Sequence, residues 1–245
     1  MELIRSFLNI IDNKLNDILT NQSDSLLKIA NLMYKTIVGG NIIHLFGTGH
    51  SHMLVEECFF RAGGFAPVNA ILEESLMLHG GAMSSGYIER LSGYAEIILK
   101  KYHLSTNDII FIFSNSGINN VPVEMAIAAK KKGMKVIAVT NIKQSIHENS
   151  RHKSCKKLYE VSDYCIDNYG DIGDAALALD INLKVAPSST IIGAVIMHGL
   201  FAEVANRIIN TGRVPPVYKS GNVKGGSEYN DKLIKDYKEK IKYLI

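Results

Sequence analysis

Two short runs of small and hydroxylic residues carry the densest potential for chemistry in this chain. They are Gly47-Thr48-Gly49-His50-Ser51 and Ser114-Asn115-Ser116-Gly117-Ile118-Asn119. Each follows an apolar stretch that reads as a buried strand, over residues 41–46 and 108–113, and each precedes residues with helical periodicity. Both therefore sit at strand-to-helix turns, where the first helical turn leaves backbone N–H groups unpaired at the positive end of the helix dipole. Small residues let an anion approach those groups, and serine hydroxyls add further donors. Two such loops in one chain point to a phosphorylated ligand held between strand ends. A third hydroxyl cluster, Ser188-Ser189-Thr190 after Pro187, opens an apolar helix predicted over residues 188–209.

Proton transfer next to a carbonyl needs a base over the carbon and an acid at the oxygen. Glu56 and Glu57 lie one to two turns into the helix after the first loop, and Glu57 is the candidate base; its bland alternative is a surface pair with Arg61. His79, in the polar-rimmed loop that begins at Glu73-Glu74-Ser75, is the second candidate proton handler. His198 lies mid-way along the late apolar helix and reads as a buried, hydrogen-bonded core histidine. His50 and His52 cannot share one helix face and have no third ligand placed by sequence, so no metal is expected. Cys58, Cys155 and Cys165 show no metal-type spacing, and their odd number argues against a disulfide scaffold.

The elements that must position these residues alternate. Strands are predicted over 41–46, 67–72, 108–113, 135–140 and 159–166, with helices over 52–62, 87–102, 121–132 and 143–154. The pattern predicts an α/β fold, a three-layer doubly wound sheet of five parallel strands, with ligands beyond the carboxyl ends of the strands. Residues 1–40 read as two helices, the second capped by Ser23 and stopped by Gly39-Gly40, packing on the core or on a partner subunit. Residues 41–211 form the α/β unit. Residues 212–245 form a strap with Pro215-Pro216 and Gly225-Gly226 and a terminal lysine-rich helix over 228–243, all within one structural domain.

With 27 basic against 24 acidic residues the net charge is only +3, which gives no electrostatic reason to expect nucleic acid or an anionic membrane. The amphipathic start lacks the basic head and apolar centre of a signal peptide, and no run of apolar residues reads as a membrane span, so the expected location is the cytoplasm. Gly47-Thr48-Gly49 also begins a dinucleotide pattern, Gly-x-Gly-x-x-Gly, but His52 stands at the third glycine.

The two loops, together with Val136-Ile137-Ala138-Val139-Thr140-Asn141, resemble the sugar isomerase (SIS) domain over residues 22–210. The longer runs at 50–64, 76–94 and 215–226 are most similar to the uncharacterised UPF0309, phosphoheptose isomerase-like subgroup. The resemblance implies a ligand-binding set of Gly49, Ser51, Ser114, Ser116, Gly117 and Asn119, with Ser188, Ser189 and Thr190 closing the site. By analogy with glucosamine-6-phosphate synthase, Lys219 of the tail would cap a site, in its own chain or a neighbour's. It further implies a homodimer or homotetramer, no cofactor, and aldose–ketose isomerisation of a phosphorylated sugar or amino sugar. An amino-sugar-phosphate lyase or etherase and a non-catalytic sugar-phosphate sensor are the alternatives. Etherases carry a glutamate after the Gly-Gly where this chain has Ala82, and no helix-turn-helix of a regulator is visible.

Overall fold

The computed structural model describes residues 1–244. It begins with a single helix, α1 (Glu2–Val38), where two were expected. Ser23 does not cap a second helix, because its hydroxyl turns back to the carbonyl of Leu19 within the same one. The apolar positions on both sides of Ser23 share one continuous stripe, so nothing breaks the helix.

The α/β unit follows: β1 (Ile43–Gly47), α2 (His52–Cys58), β2 (Val68–Ile71), α3 (Ala82–Ile88), α4 (Tyr94–Leu99), β3 (Ile109–Phe113), α5 (Asn120–Lys131), β4 (Lys135–Thr140), α6 (Ile142–His147), α7 (Leu158–Val161) and β5 (Tyr164–Asp167). The expected helix over 87–102 is two helices, because Gly93 takes φ +84 between them and breaks the turn. The strand expected to start at 159 begins at Tyr164, with α7 in its place. A two-stranded hairpin not foreseen from sequence comes next, β6 (Ala175–Ala178) with antiparallel β7 (Lys184–Pro187). The chain ends with α8 (Ser189–Asn210) and α9 (Gly226–Tyr237).

The five main strands are all parallel, in the order β2-β1-β3-β4-β5. Alternation within each strand feeds two cores. Ile43, Leu45, Phe111 and Phe113 face α1, α2 and α8, whereas Phe46, Ile110 and Ile112 face α4, α5 and α7. Fully buried side chains such as Phe46, Phe111 and Phe113 each contribute about 1.5–3 kcal/mol. By length and composition α8 could cross a membrane, but Ile192, Ile196, Met197, Leu200, Phe201 and Val204 are buried in the first core. Gly193 permits its close approach to α2, since a Cβ there would lie 2.6 Å from Leu54.

A buried polar group crosses the amino end of the sheet. His44 Nε2 faces Asp108 Oδ2 at 3.1 Å, and Asn69 Nδ2 donates to His44 Nδ1 at 2.9 Å. With Nδ1 accepting, Nε2 carries the proton and donates to Asp108. Asp108 also accepts from the amides of Ile42 at 2.8 Å and Ser105 at 2.7 Å, which locks the entries to β1 and β3.

Candidate functional site

Because β1 and β3 are neighbours, the loops that follow them open side by side. Between them and the start of α8 lies a narrow crevice. Hydroxyls of Ser51, Ser114, Ser189 and Thr190 and the carboxamides of Asn115 and Asn168 ring it, over a floor of Leu54, Phe113 and Val139. The three hydroxyl clusters recognised in the sequence thus converge, each with at least one member in the wall.

The second loop is built around Gly117. Its φ is +63, and a Cβ there would lie 2.9 Å from both Ser145 Oγ and Thr140 Oγ1. Gly117 N donates to Ser114 Oγ at 3.2 Å, and Ser145 Oγ donates to the Ser116 carbonyl at 2.5 Å. Asn168 Nδ2 donates to Asn115 Oδ1 at 2.9 Å, tying the loop to the end of β5. No side chain caps the start of α5, but its first turn is largely committed: Val121 N donates to the Glu89 carbonyl at 3.0 Å and Pro122 has no N–H.

Asn119 does not line the crevice; its amide is already engaged. Nδ2 donates to Glu89 Oε1 at 2.6 Å, and the Arg151 guanidinium donates to Oδ1. Glu89 Oε2 accepts the Thr48 hydroxyl at 2.8 Å, so one carboxylate holds both loops. Burial pushes the Glu89 carboxyl above its ordinary range, against the Thr48 hydrogen bond and the nearby Arg90 and Arg151 charges. Sequence reasoning missed Glu89. It stands in the 76–94 run that carries the family resemblance, but only the fold brings it to Thr48 and Asn119.

At the third cluster, Asp174 from the hairpin base occupies the start of α8. Its Oδ1 accepts from the amides of Ser188 at 3.2 Å and Ser189 at 2.9 Å, and its Oδ2 accepts the Ser189 hydroxyl at 2.6 Å. Ser188 is fully buried and its Oγ has no partner, so it backs the crevice rather than lining it.

The expected proton handlers lie elsewhere. Glu57 sits about two turns along α2 from Ser51, hydrogen-bonded by Arg61, the pairing weighed as its bland alternative. The same carboxylate meets His198 Nε2 at 3.0 Å. His198 is therefore not the core histidine expected: its side chain is 40% exposed, on the outer face of α8. Desolvation, then the Arg61 charge, lowers its pKa. His79 is exposed, its ring centroid 6.2 Å from that of His52, whose Nδ1 faces the Gly49 carbonyl of the first loop. Among the described residues no three His, Cys, Asp or Glu side chains gather as metal ligands.

Lys219 is placed away from the crevice of its own chain. The tail runs antiparallel to residues 63–66, with Tyr218 N donating to Gly64 O at 2.9 Å and Gly63 N to Tyr218 O at 2.8 Å. These residues precede β2, at the amino end of the strands, opposite the loops. Lys219 itself stacks over the Tyr229 ring at 4.2 Å.

Comparison with known proteins agrees with this architecture. Residues 6–141 match the SIS domain family model. A UPF0309 protein of Geobacillus thermodenitrificans is 41% identical over 99% of this chain and 98% of its own. A UPF0309 protein of Halalkalibacterium halodurans is 42% identical over 99% and 97%. The phosphoheptose isomerase of Francisella tularensis shares the fold with a TM-score of 0.53 at 14% identity, covering 83% of this chain and 96% of that one. That of Neisseria gonorrhoeae aligns with a TM-score of 0.53 at 13% identity, over 84% and 98%. With its two hydroxyl loops on adjacent parallel strands and relatives matched along its whole length, the chain belongs to the SIS domain family, within the UPF0309 group.

Proposed function

We propose that this protein binds a phosphorylated sugar or amino sugar in the crevice and interconverts its aldose and ketose forms by proton transfer. The observation that carries the reading is the convergence of Ser51, Ser114, Ser189 and Thr190 on one crevice at the carboxyl ends of β1 and β3. In this reading the phosphate sits on the second loop, where the Ser114 and Ser116 hydroxyls supply donors. Family membership and the fold shared with two phosphoheptose isomerases support the same chemistry. Glu57 and His79 are the proposed proton handlers, with Glu89 as the residue that positions the two loops.

Glu57 does not reach the crevice of its own chain, so its role requires a second subunit. A groove of about 540 Å³ between α1 and α8 is lined by Leu15, Ile18, Leu26, Leu27, Val195 and Leu200, and its apolar walls support packing of homodimers or homotetramers there. His198 shares the outer face of α8 with Val195 and Gly199, which supports assigning the Glu57–His198 pair to the proposed boundary.

The test has two steps. Thermal shifts with hexose, heptose and N-acetyl amino-sugar phosphates beside their unphosphorylated parents identify the class bound. Incubation of that ligand in heavy water then reads isomerisation, because proton exchange through an enediol incorporates deuterium next to the carbonyl. Binding without deuterium uptake makes the protein a sugar-phosphate sensor; no shift with any phosphate sinks the reading.

A further inference from the structure

The structure assigns a separate ligand site to the amino end of the sheet, with a chemistry that fits a nucleoside monophosphate. It lies across the strands from the crevice and stands independently of the sugar-phosphate reading.

Where the strap pairs with residues 63–66, it encloses a cavity of about 400 Å³ with the residues that follow α2 and the first half of α9. Phe60, Arg61, Tyr218, Lys219, Ser227 and Asp231 line it. Two observations point to a ligand there. Tyr218 is only 4% exposed, yet its hydroxyl has no partner among the described residues. A buried tyrosine O–H ordinarily has an acceptor, and the cavity is where one can reach it. Phe60 holds φ +44, a costly conformation for a bulky residue, and its ring stays 51% exposed. Folding alone gains little from strain that keeps an aromatic ring half in water.

The wall groups match the parts of a nucleotide. Phe60 meets Tyr218 near a right angle, 71°, with centroids 5.1 Å apart, and its exposed face can take a stacked base. Lys219 Nζ is held over the Tyr229 ring at 4.2 Å, a contact that leaves its charge available to a phosphate. Arg61 is bonded to Glu57 through Nη1, so its Nε and Nη2 remain donors. The Ser227 hydroxyl adds another donor, and the Asp231 carboxylate can accept from ribose hydroxyls. Two cations against one carboxylate favour an anion that also carries hydroxyls, and the aromatic wall favours one with a flat ring.

Calorimetric titration of the intact protein with AMP, GMP, CMP and UMP, each beside its nucleoside, tests the assignment. At least one nucleotide should bind ~10-fold or more tightly than its nucleoside, because the phosphate contacts are charge-assisted. Tyr218→Phe removes only the hydroxyl. It should weaken that nucleotide about tenfold at an unchanged or raised melting temperature, a split that a merely structural hydroxyl would not give. Lys219→Met should weaken it by a similar factor and lessen its salt dependence. Ser114→Ala, in the crevice, should leave nucleotide binding unchanged. If one strap variant fails to fold, the other decides. No binding of any of the four nucleotides, or wild-type affinity in both strap variants, overturns the proposal. A loss confined to Ser114→Ala overturns it too, because the nucleotide would then sit in the crevice.

Discussion

Glu89 and Asn119 are joined by a 2.6 Å hydrogen bond, and the second carboxylate oxygen of Glu89 holds Thr48 at 2.8 Å. The loops after β1 and β3 are therefore coupled through one acid that burial pushes above its ordinary pKa. A carboxyl with a raised folded-state pKa binds its proton more tightly in the native state. Its cost to stability is absent well below the unfolded pKa and grows as pH rises through the window up to the folded value. Glu89→Gln keeps the shape and removes that cost. The melting temperature of the variant relative to wild type should increase from pH 4 to pH 7; a constant difference would mean that the carboxyl is not perturbed. Glu89→Ala, which frees both loops, should weaken phosphate binding by about tenfold, the order expected for losing hydrogen bonds to a charged group.

Gly117 sets the second loop by its left-handed backbone as much as by its lack of a side chain. Gly117→Ala places a methyl 2.9 Å from Ser145 Oγ and Thr140 Oγ1 at a φ of +63. The strain should destabilise the protein by about 1–3 kcal/mol and displace the Ser114 hydroxyl that accepts from this amide. Chemical denaturation and phosphate titration should both register the change. An alanine variant with wild-type stability and affinity would mean that the loop is plastic.

The strands and loops were legible because buried parallel strands are continuous apolar runs and the turns after them are spelled in Gly and Ser. Residues 109–113 and 135–140 show this best, and Ser51, Ser114, Ser189 and Thr190 line one crevice. What sequence could not show was pairing at long range. Glu89 lies 30 residues from Asn119 and 41 from Thr48, and Asp174 lies 15 from Ser189. His198 was misjudged because an apolar helix with a broad buried stripe still has an outer face, and the stripe does not reveal where α2 and Glu57 border it. The division of residues 1–40 into two helices over-read a local cap signal at Ser23 that the continuous apolar stripe overrides.

Asp108 should be the main source of acid lability at the amino end of the sheet. Burial works to raise its carboxyl, but hydrogen bonds from His44, the Ile42 amide and the Ser105 amide hold it below its ordinary range. A depressed folded-state pKa contributes stability that is present above the unfolded value and lost as pH falls through the folded one. Asp108→Asn turns an N–H group toward donors and should cost about 3 kcal/mol, near 6–12 °C in melting temperature for a chain of this size. Its deficit should be full at pH 7 and shrink toward pH 3. A deficit independent of pH would assign the loss to packing rather than to the carboxylate.

The exposed groove between α1 and α8 gives the subunit boundary its test. Val195 is 47% exposed and Leu27 49%, so Val195→Asp with Leu27→Asp places both charges in water in a single chain. Their effect on the stability of the lone subunit should be small, within about 0.5 kcal/mol each. Across an apolar interface the same charges would be buried unpaired, at a cost that dissociates it. Sedimentation should therefore show an oligomer for wild type and a single chain for the double variant. On the proposed arrangement, with the crevice inside one subunit and Glu57 and His198 at the proposed boundary, the variant should keep phosphate binding and lose deuterium uptake at the sugar. A wild-type protein that sediments as a single chain at micromolar concentration, yet still exchanges deuterium, would take Glu57 out of the reaction and leave His79 and Glu89 as the groups to test next.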